Sequence, residues 1–249
     1  MIRILLSGCC GHMGRVIRGI VKQREDCTIC AGVDLSAESA EFPIYTSFDA
    51  VEETPDVIID FSHPSVLSSL LAFARQRGGL PVVLCTTGYS AEQVAQVHEA
   101  AKDLPVFYSR NMSIGINLLI GLAQKAAQVL GDDFDIEIVE QHHNQKVDAP
   151  SGTALMIADA IAESRDIESH YVYDRHSQRK KREKSEIGIH SVRGGTIVGE
   201  HEVIFAGNAE VIRLSHSAQS KEVFAAGAVN AACYMKGRPA GLYDMSDLI

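Results

Sequence analysis

The chain opens on a short apolar run, IRILLSG (2–8), followed by Met13, Val16, Ile17, Ile20 and Val21 at helical spacing and then by the β-like TICAGVD (28–34). Strand-like runs on either side of an amphipathic stretch predict a βαβ unit. DVIIDFS (56–62) and PVVLCTT (81–87) are nearly continuous apolar runs. That is the pattern of parallel strands covered on both faces, and the segments 65–77 and 90–102 read as helices. PVFYSRN (105–111) is expected to be the last strand of the series. Parallel strands with crossover helices make a Rossmann-like doubly wound sheet, whose ligands bind beyond the carboxyl ends of the strands.

The pattern then changes. After a long apolar segment, 115–130, DIEIVEQHH (135–143) alternates with strand periodicity, and one helix is expected at about 152–164. HYVYDR, IGIHSVRG, IVGEHEVIFAG and AEVIRLSHSA follow with few helices between them, which predicts an inserted α+β domain with a mixed or antiparallel sheet. KEVFAAGAVNAACYMKG (221–237) reads as a helix with a small-residue face, suited to packing back on the first domain. The expected division is 1–112 with 218–249 as a dinucleotide-binding domain and 113–217 as the second domain.

Composition narrows the function classes. With 249 residues, 46% of them hydrophobic and 22% charged, the chain can bury a sizeable core. A formal net charge of −9 argues against a nucleic-acid partner, because affinity for phosphate comes from Lys and Arg in excess. The one dense basic run, RHSQRKKREK (175–184), lacks interleaved aromatics and is expected to be a solvated mobile loop. No signal peptide and no membrane span are expected, so the cytoplasm is the expected location. Six cysteines in a chain of this size are expected as thiols, Cys27 and Cys30 included, rather than as disulfides or zinc ligands.

GCCGHMG (8–14) falls between the first strand and the first helix, with Cys10 where the common fingerprint has its middle glycine. Gly8 suits the tight turn, Gly11 a close backbone approach to pyrophosphate, and Gly14 close helix packing. Asp34 ends the second strand, placed to accept hydrogen bonds from an adenosine ribose. An acid there, followed by Leu35, favours NADH over NADPH because it repels a 2′-phosphate, although Arg15 is a possible counter-charge.

EQHHNQKVDAPSGTA (140–154) carries the other candidate chemistry. On a strand, His142 shares a face with Ile138 and Glu140 while His143 points the other way, so the pair is a poor chelator and no metal is expected. Ser151 is a suitable N-cap, leaving the N–H groups of Gly152 and Thr153 to bind an anion, with Lys146 supplying positive charge and His142 a proton. An anion grip beside a proton donor suits reduction of an unsaturated carboxylate. Other dehydrogenases of the same architecture, or a nucleotide sensor, would share the glycine loop without needing this stretch.

This stretch resembles the signature of the dihydrodipicolinate reductase family, the 4-hydroxy-tetrahydrodipicolinate reductases of lysine and diaminopimelate biosynthesis. Companion motifs run along nearly the whole chain: GCCGHMGR, DFSHP (60–64), CTTGY (85–89), NMSIGIN (111–117), SVRGGTIVGEH (191–201) and GLYDM (241–245). The resemblance implies that NADH or NADPH reduces a small cyclic dicarboxylate. It implies His142 as proton donor or acceptor, Lys146 as proton donor, and His143, Gly152 and Thr153 as ligands of the substrate carboxylates. Cofactor contacts are implied at Gly8, Cys9, Cys10, Gly11, His12, Met13, Asp34, Cys85, Thr86, Thr87, Ser109, Arg110, Asn111 and Met112. Cys85 stands where the family pattern has glycine, and Arg110 where smaller residues are usual. The resemblance also implies a homotetramer assembled through sheets of the second domain.

Overall fold

The computed structural model describes residues 1–36 and 39–249. The chain first runs through β1 (Ile2–Ser7), α1 (His12–Lys22), β2 (Cys27–Val33), β3 (Ile44–Tyr45), β4 (Val57–Asp60), α2 (Leu67–Gln76), β5 (Val82–Leu84), α3 (Ala91–Ala100) and β6 (Pro105–Tyr108). It continues through α4 (Ile114–Leu130), β7 (Asp135–His142), α5 (Gly152–Glu163), β8 (His170–Val172), β9 (Glu186–Arg193), β10 (Gly199–Ala206) and β11 (Val211–Ala218). It closes with α6 (Glu222–Met235) and β12 (Gly241–Tyr243). Two compact units result: Met1–Ile114 with Glu222–Ile249, and Gly115–Lys221. Ala218 still belongs to β11, so the chain returns to the first unit at Glu222.

The first unit holds a seven-stranded parallel sheet in the order β12-β6-β5-β4-β1-β2-β3. Alternate residues of each strand enter different cores. Ile4, Leu6, Ile59, Val83 and Phe107 pack with α1 and α6, while Leu5, Ile58, Val82, Leu84 and Val106 pack with α2 and α3. Both faces are covered, which is why these strands read as continuous apolar runs. α6 lies close because five of its seven buried positions are small: Ala225, Gly227, Ala228, Ala231 and Ala232. The expectation that 105–111 ends the strand series is corrected, since β12 adds a further parallel strand beyond β6. Three residues carry too little periodicity to be read as a strand, and β12 is fixed by tertiary pairing and by the burial of Met245 behind it.

The second unit holds a mixed five-stranded sheet, β11-β10-β7-β9-β8, antiparallel from β11 to β7 and parallel from β7 to β8. β7 and β10 alternate strictly between buried and half-buried residues. Ile136, Ile138, Val203 and Phe205 meet Ile116, Leu119, Ile157 and Ile161 of α4 and α5. Continued to Asp133, α4 is long and apolar enough to cross a membrane by length and composition alone, with a mean hydropathy of 1.3. One of its faces packs into this core through Ile116, Leu119, Ala123 and Ala127.

The basic run is not the free loop that its composition predicts. Arg175 pairs with Glu137 and Glu186, Arg182 with Asp135 and Glu137, and Lys180 with Glu186. Arg182 also donates to the carbonyls of Ile136 and Glu186. Carboxylates half or wholly removed from water on β7 and β9 need cations, and this segment supplies them.

Candidate functional site

In the first unit the glycine loop joins β1 to α1 at the point where the strand order reverses, where open α/β sheets hold their ligands. Gly8 has φ +78°, and a Cβ there would overlap the Phe61 carbonyl, so glycine is required on two counts. A Cβ on Gly14 would overlap the Gly8 carbonyl, whereas one on Gly11 would meet nothing nearer than 3.4 Å. The open side of the loop is therefore at Gly11, the N-cap of α1. No side chain caps that helix, so its first N–H groups are left to an external anion.

Beside the loop lies a cavity of about 610 Å³, lined by Gly8, Cys10, Gly11, Arg15, Asp34, Leu35 and the loop after β4, among others. Asp34 accepts from the backbone N–H of Cys10 at 2.9 Å and from that of Ser36 at 3.0 Å, one bond per carboxylate oxygen. Each oxygen retains a lone pair for a ribose hydroxyl. Uncapped helix, glycine approach, cavity and carboxylate together fit a dinucleotide.

The other residues expected at the cofactor fall into two groups. His12, Thr87 and Arg110 are exposed, and Met13 and Ser109 are half-buried. Cys9, Cys85 and Met112 turn their side chains into the core with α1 and α6, so only their backbones face outward. Burial raises the Cys9 thiol to about 12 and the Cys85 thiol well above its usual value, which keeps both neutral. Asp60, the last residue of β4, is buried and accepts from Ser62 Oγ at 2.5 Å and from Thr86 Oγ1 at 2.7 Å. Thr86 Oγ1 in turn accepts from the Ser62 backbone at 2.9 Å, so one carboxylate locks the loops after β4 and β5 together.

In the second unit, strand alternation puts Ile136, Ile138, Glu140 and His142 on the buried face of β7, as the sequence predicts, and His143 follows the strand half-buried. His142 Nδ1 lies 2.6 Å from Glu140 Oε2. Arg193, the last residue of β9, grips the same carboxylate with both terminal nitrogens, at 2.8 and 2.7 Å. Glu140 Oε1 also accepts the Ser151 N–H at 3.1 Å. Ser151 caps α5 through the Ala154 N–H at 3.2 Å, leaving Gly152 exposed and Thr153 half-buried at the helix start. Lys146 pairs with Asp148 at 2.8 Å in the turn after β7.

Burial pushes the Glu140 carboxyl up, but the bonds from Arg193, Ser191, His142 and Ser151 outweigh it and hold the group at about 2. Burial lowers His142 against the opposing pull of Glu140. His201, on β10, meets His142 edge to face with ring centroids 5.3 Å apart, and its Nε2 lies 3.1 Å from Ser151 Oγ. Burial, then repulsion from His142, lowers His201 to about 4. The site thus offers a titratable imidazole, a lysine and the start of a helix within one short stretch of chain.

Two family models divide the chain between them: dihydrodipicolinate reductase, N-terminus, matches residues 2–112, and dihydrodipicolinate reductase, C-terminus, matches residues 115–249. The chain belongs to the dihydrodipicolinate reductase family. It is 52% identical over 249 residues to the 4-hydroxy-tetrahydrodipicolinate reductase of Caldanaerobacter subterraneus subsp. tengcongensis, covering all of this chain and 98% of that one. The enzyme of the same name from Clostridium tetani is 49% identical over 250 residues, covering 100% of this chain and 97% of its own. A solved dipicolinate-bound dihydrodipicolinate reductase from Paenisporosarcina superposes with a TM-score of 0.83 at 28% identity, with both chains fully covered.

For this member of the family, reading the sequence left out Arg193, His201 and Asp60 as site residues and gave Glu140 no role. Glu140 could have been found, since alternation already set it beside His142. Arg193 and His201 reach the site only through strand pairing, which local sequence does not encode.

Proposed function

We propose that Gly152, Thr153 and His143 hold the carboxylates of a small cyclic dicarboxylate, while His142 and Lys146 serve its protonation. As a member of its family, the chain is an oxidoreductase of the diaminopimelate and lysine route that reduces 4-hydroxy-tetrahydrodipicolinate. The glycine loop and Asp34 would hold a reduced nicotinamide nucleotide, which would supply the hydride. The chain's own part is to place substrate and proton. The positive end of the α5 dipole and the Lys146 charge bind anions, and His142 carries a proton at a nitrogen turned away from Glu140. The observation that carries this reading is the convergence of His142 and the α5 N-terminus on the single carboxylate of Glu140.

NADH is proposed as the favoured nucleotide, supported by Asp34 and by Leu35, which is 92% exposed at the cavity rim and offers no cation. Arg15 also lines the cavity and favours the alternative, a 2′-phosphate. The protein is further proposed to be a cytoplasmic homotetramer, assembled through the second unit's sheet. Its long edge strand β11, with Val211 exposed, supports that reading, and light scattering on purified protein tests it.

The deciding experiment supplies enzymatically generated 4-hydroxy-tetrahydrodipicolinate and follows loss of reduced-nucleotide absorbance with NADH and NADPH separately. Turnover with a higher kcat/KM for NADH is expected. No oxidation of either nucleotide would overturn the activity, and a strong NADPH preference would overturn the reading of Asp34.

A further inference from the structure

The Glu140 carboxylate is fully buried, and both of its oxygens are engaged by three different strands or loops. Oε2 faces His142 Nδ1, Oε1 faces the N-cap of α5, and Arg193 spans the two. A buried ion pair of this kind is seldom a net source of stability against an apolar replacement, because desolvating two charges costs about as much as their attraction returns. Its value here lies in geometry. An ionised carboxylate only accepts hydrogen bonds, so it requires a proton on Nδ1 and leaves Nε2 as the nitrogen that gains and loses one.

The surroundings keep Nε2 open. Nε2 lies beside Gly199 of β10, where an added Cβ would come within 3.1 Å of it. The charged and titratable groups that face His142 are Glu140 on its own strand, Arg193 from β9, His201 from β10 and Lys146, with its partner Asp148, from the turn that follows. His216 of β11 acts on the cluster through His201. Of these, only Glu140 is in hydrogen-bond contact with the ring.

We infer that Glu140, clamped by Arg193, is a positioning residue that fixes the His142 tautomer and, through the Ser151 N–H, sets the proton donor in register with the anion-binding start of α5. This rests on the proposed role of His142. The same carboxylate that aims the acid also anchors the helix that holds the substrate, so proton delivery and carboxylate binding share one rigid support.

Glu140→Gln tests this with little change of shape. Its carbonyl can still accept from Ser151, but its amide donates toward Nδ1, which forces the proton onto Nε2 and disfavours the imidazolium. The expected outcome is a kcat lower by about 10-fold or more, short of the full loss of about 10² to 10⁴ expected when a general acid is removed. KM should change little, and the basic limb of the kcat–pH profile should move to lower pH. A profile that superimposes on that of the unmodified protein overturns the inference. Should Glu140→Gln fail to fold, ring ¹⁵N shifts of His142 in the unmodified protein decide the matter. An Nδ1–H, bare-Nε2 neutral imidazole supports the inference, and an Nε2–H tautomer overturns it. His142→Gln separates the two levels. Full activity there removes the underlying reading, whereas an inactive His142→Gln beside an unaltered Glu140→Gln removes only the role of Glu140.

Discussion

His142 and Lys146 stand four residues apart in sequence, yet they sit in different settings and should fail differently when replaced. His142 is 9% exposed against a buried carboxylate, so His142→Gln should remove a proton donor and little else. Steady-state kinetics should show kcat reduced by about 10² to 10⁴ with modest change in KM. Lys146, half-buried and paired with Asp148, is better placed to attract an anion, so Lys146→Ala should raise KM for the dicarboxylate as well as lower kcat. If only the KM for nucleotide moved, the assignment of this stretch to substrate would be wrong. His201 marks a pH limit on stability. Its folded-state value of about 4 lies below its unfolded value near 6.5, so the unfolded chain takes up the proton first. The contribution of His201 to stability is therefore fully present above pH 6.5 and is lost as pH falls from there toward 4. Urea unfolding at a series of pH values should show that slope, and His201→Gln should flatten it.

At the scale of elements, close approaches made possible by glycine set the tolerances. Gly8→Ala meets both a left-handed backbone, costing roughly 1–2 kcal/mol on its own, and overlap with the Phe61 carbonyl. Gly227 of α6 is packed so that a Cβ would overlap the Met112 carbonyl, at the end of the segment expected to meet the nicotinamide. Gly227→Ala should thus lower the melting temperature and raise KM for nucleotide together, a pairing that a purely structural core change would not produce. These elements also show what the sequence could and could not reveal. Continuous apolar runs betray β4 and β5 because both faces of their sheet are covered, and alternation betrays β7 because one face is half open. β12 is three residues long and depends on β6 for its existence. The basic segment looked solvated because Glu137 and Glu186, which hold Arg175 and Arg182, belong to strands that sequence distance separates from it or whose charge partners it does not announce. The glycine loop and the His142 stretch were legible as local chemistry, while Arg193 and His201 arrive through β-pairing that no local pattern records.

For the molecule as a whole, the decisive fact is that the first unit is discontinuous, closed by α6 and β12 after the second unit has been completed. Removing residues 238–249 deletes an edge strand and the fully buried Met245, with an expected cost of at least about 1.5–3 kcal/mol from that one side chain. Denaturant titration should show the loss in the transition of the first unit, with the second unit's transition unchanged. Removing 222–249 strips α6 from the sheet altogether and should leave the first unit unfolded at any temperature. The same discontinuity governs the order of events on the ribosome. At about 5–20 residues per second, the roughly one hundred residues of the second unit take about 5 to 20 s to synthesise. Throughout that interval the face of the nascent sheet that α1 and α6 share waits with α1 alone to cover it. A chaperone that shields exposed β-surface during translation would find its longest opportunity there, before the last helix is made.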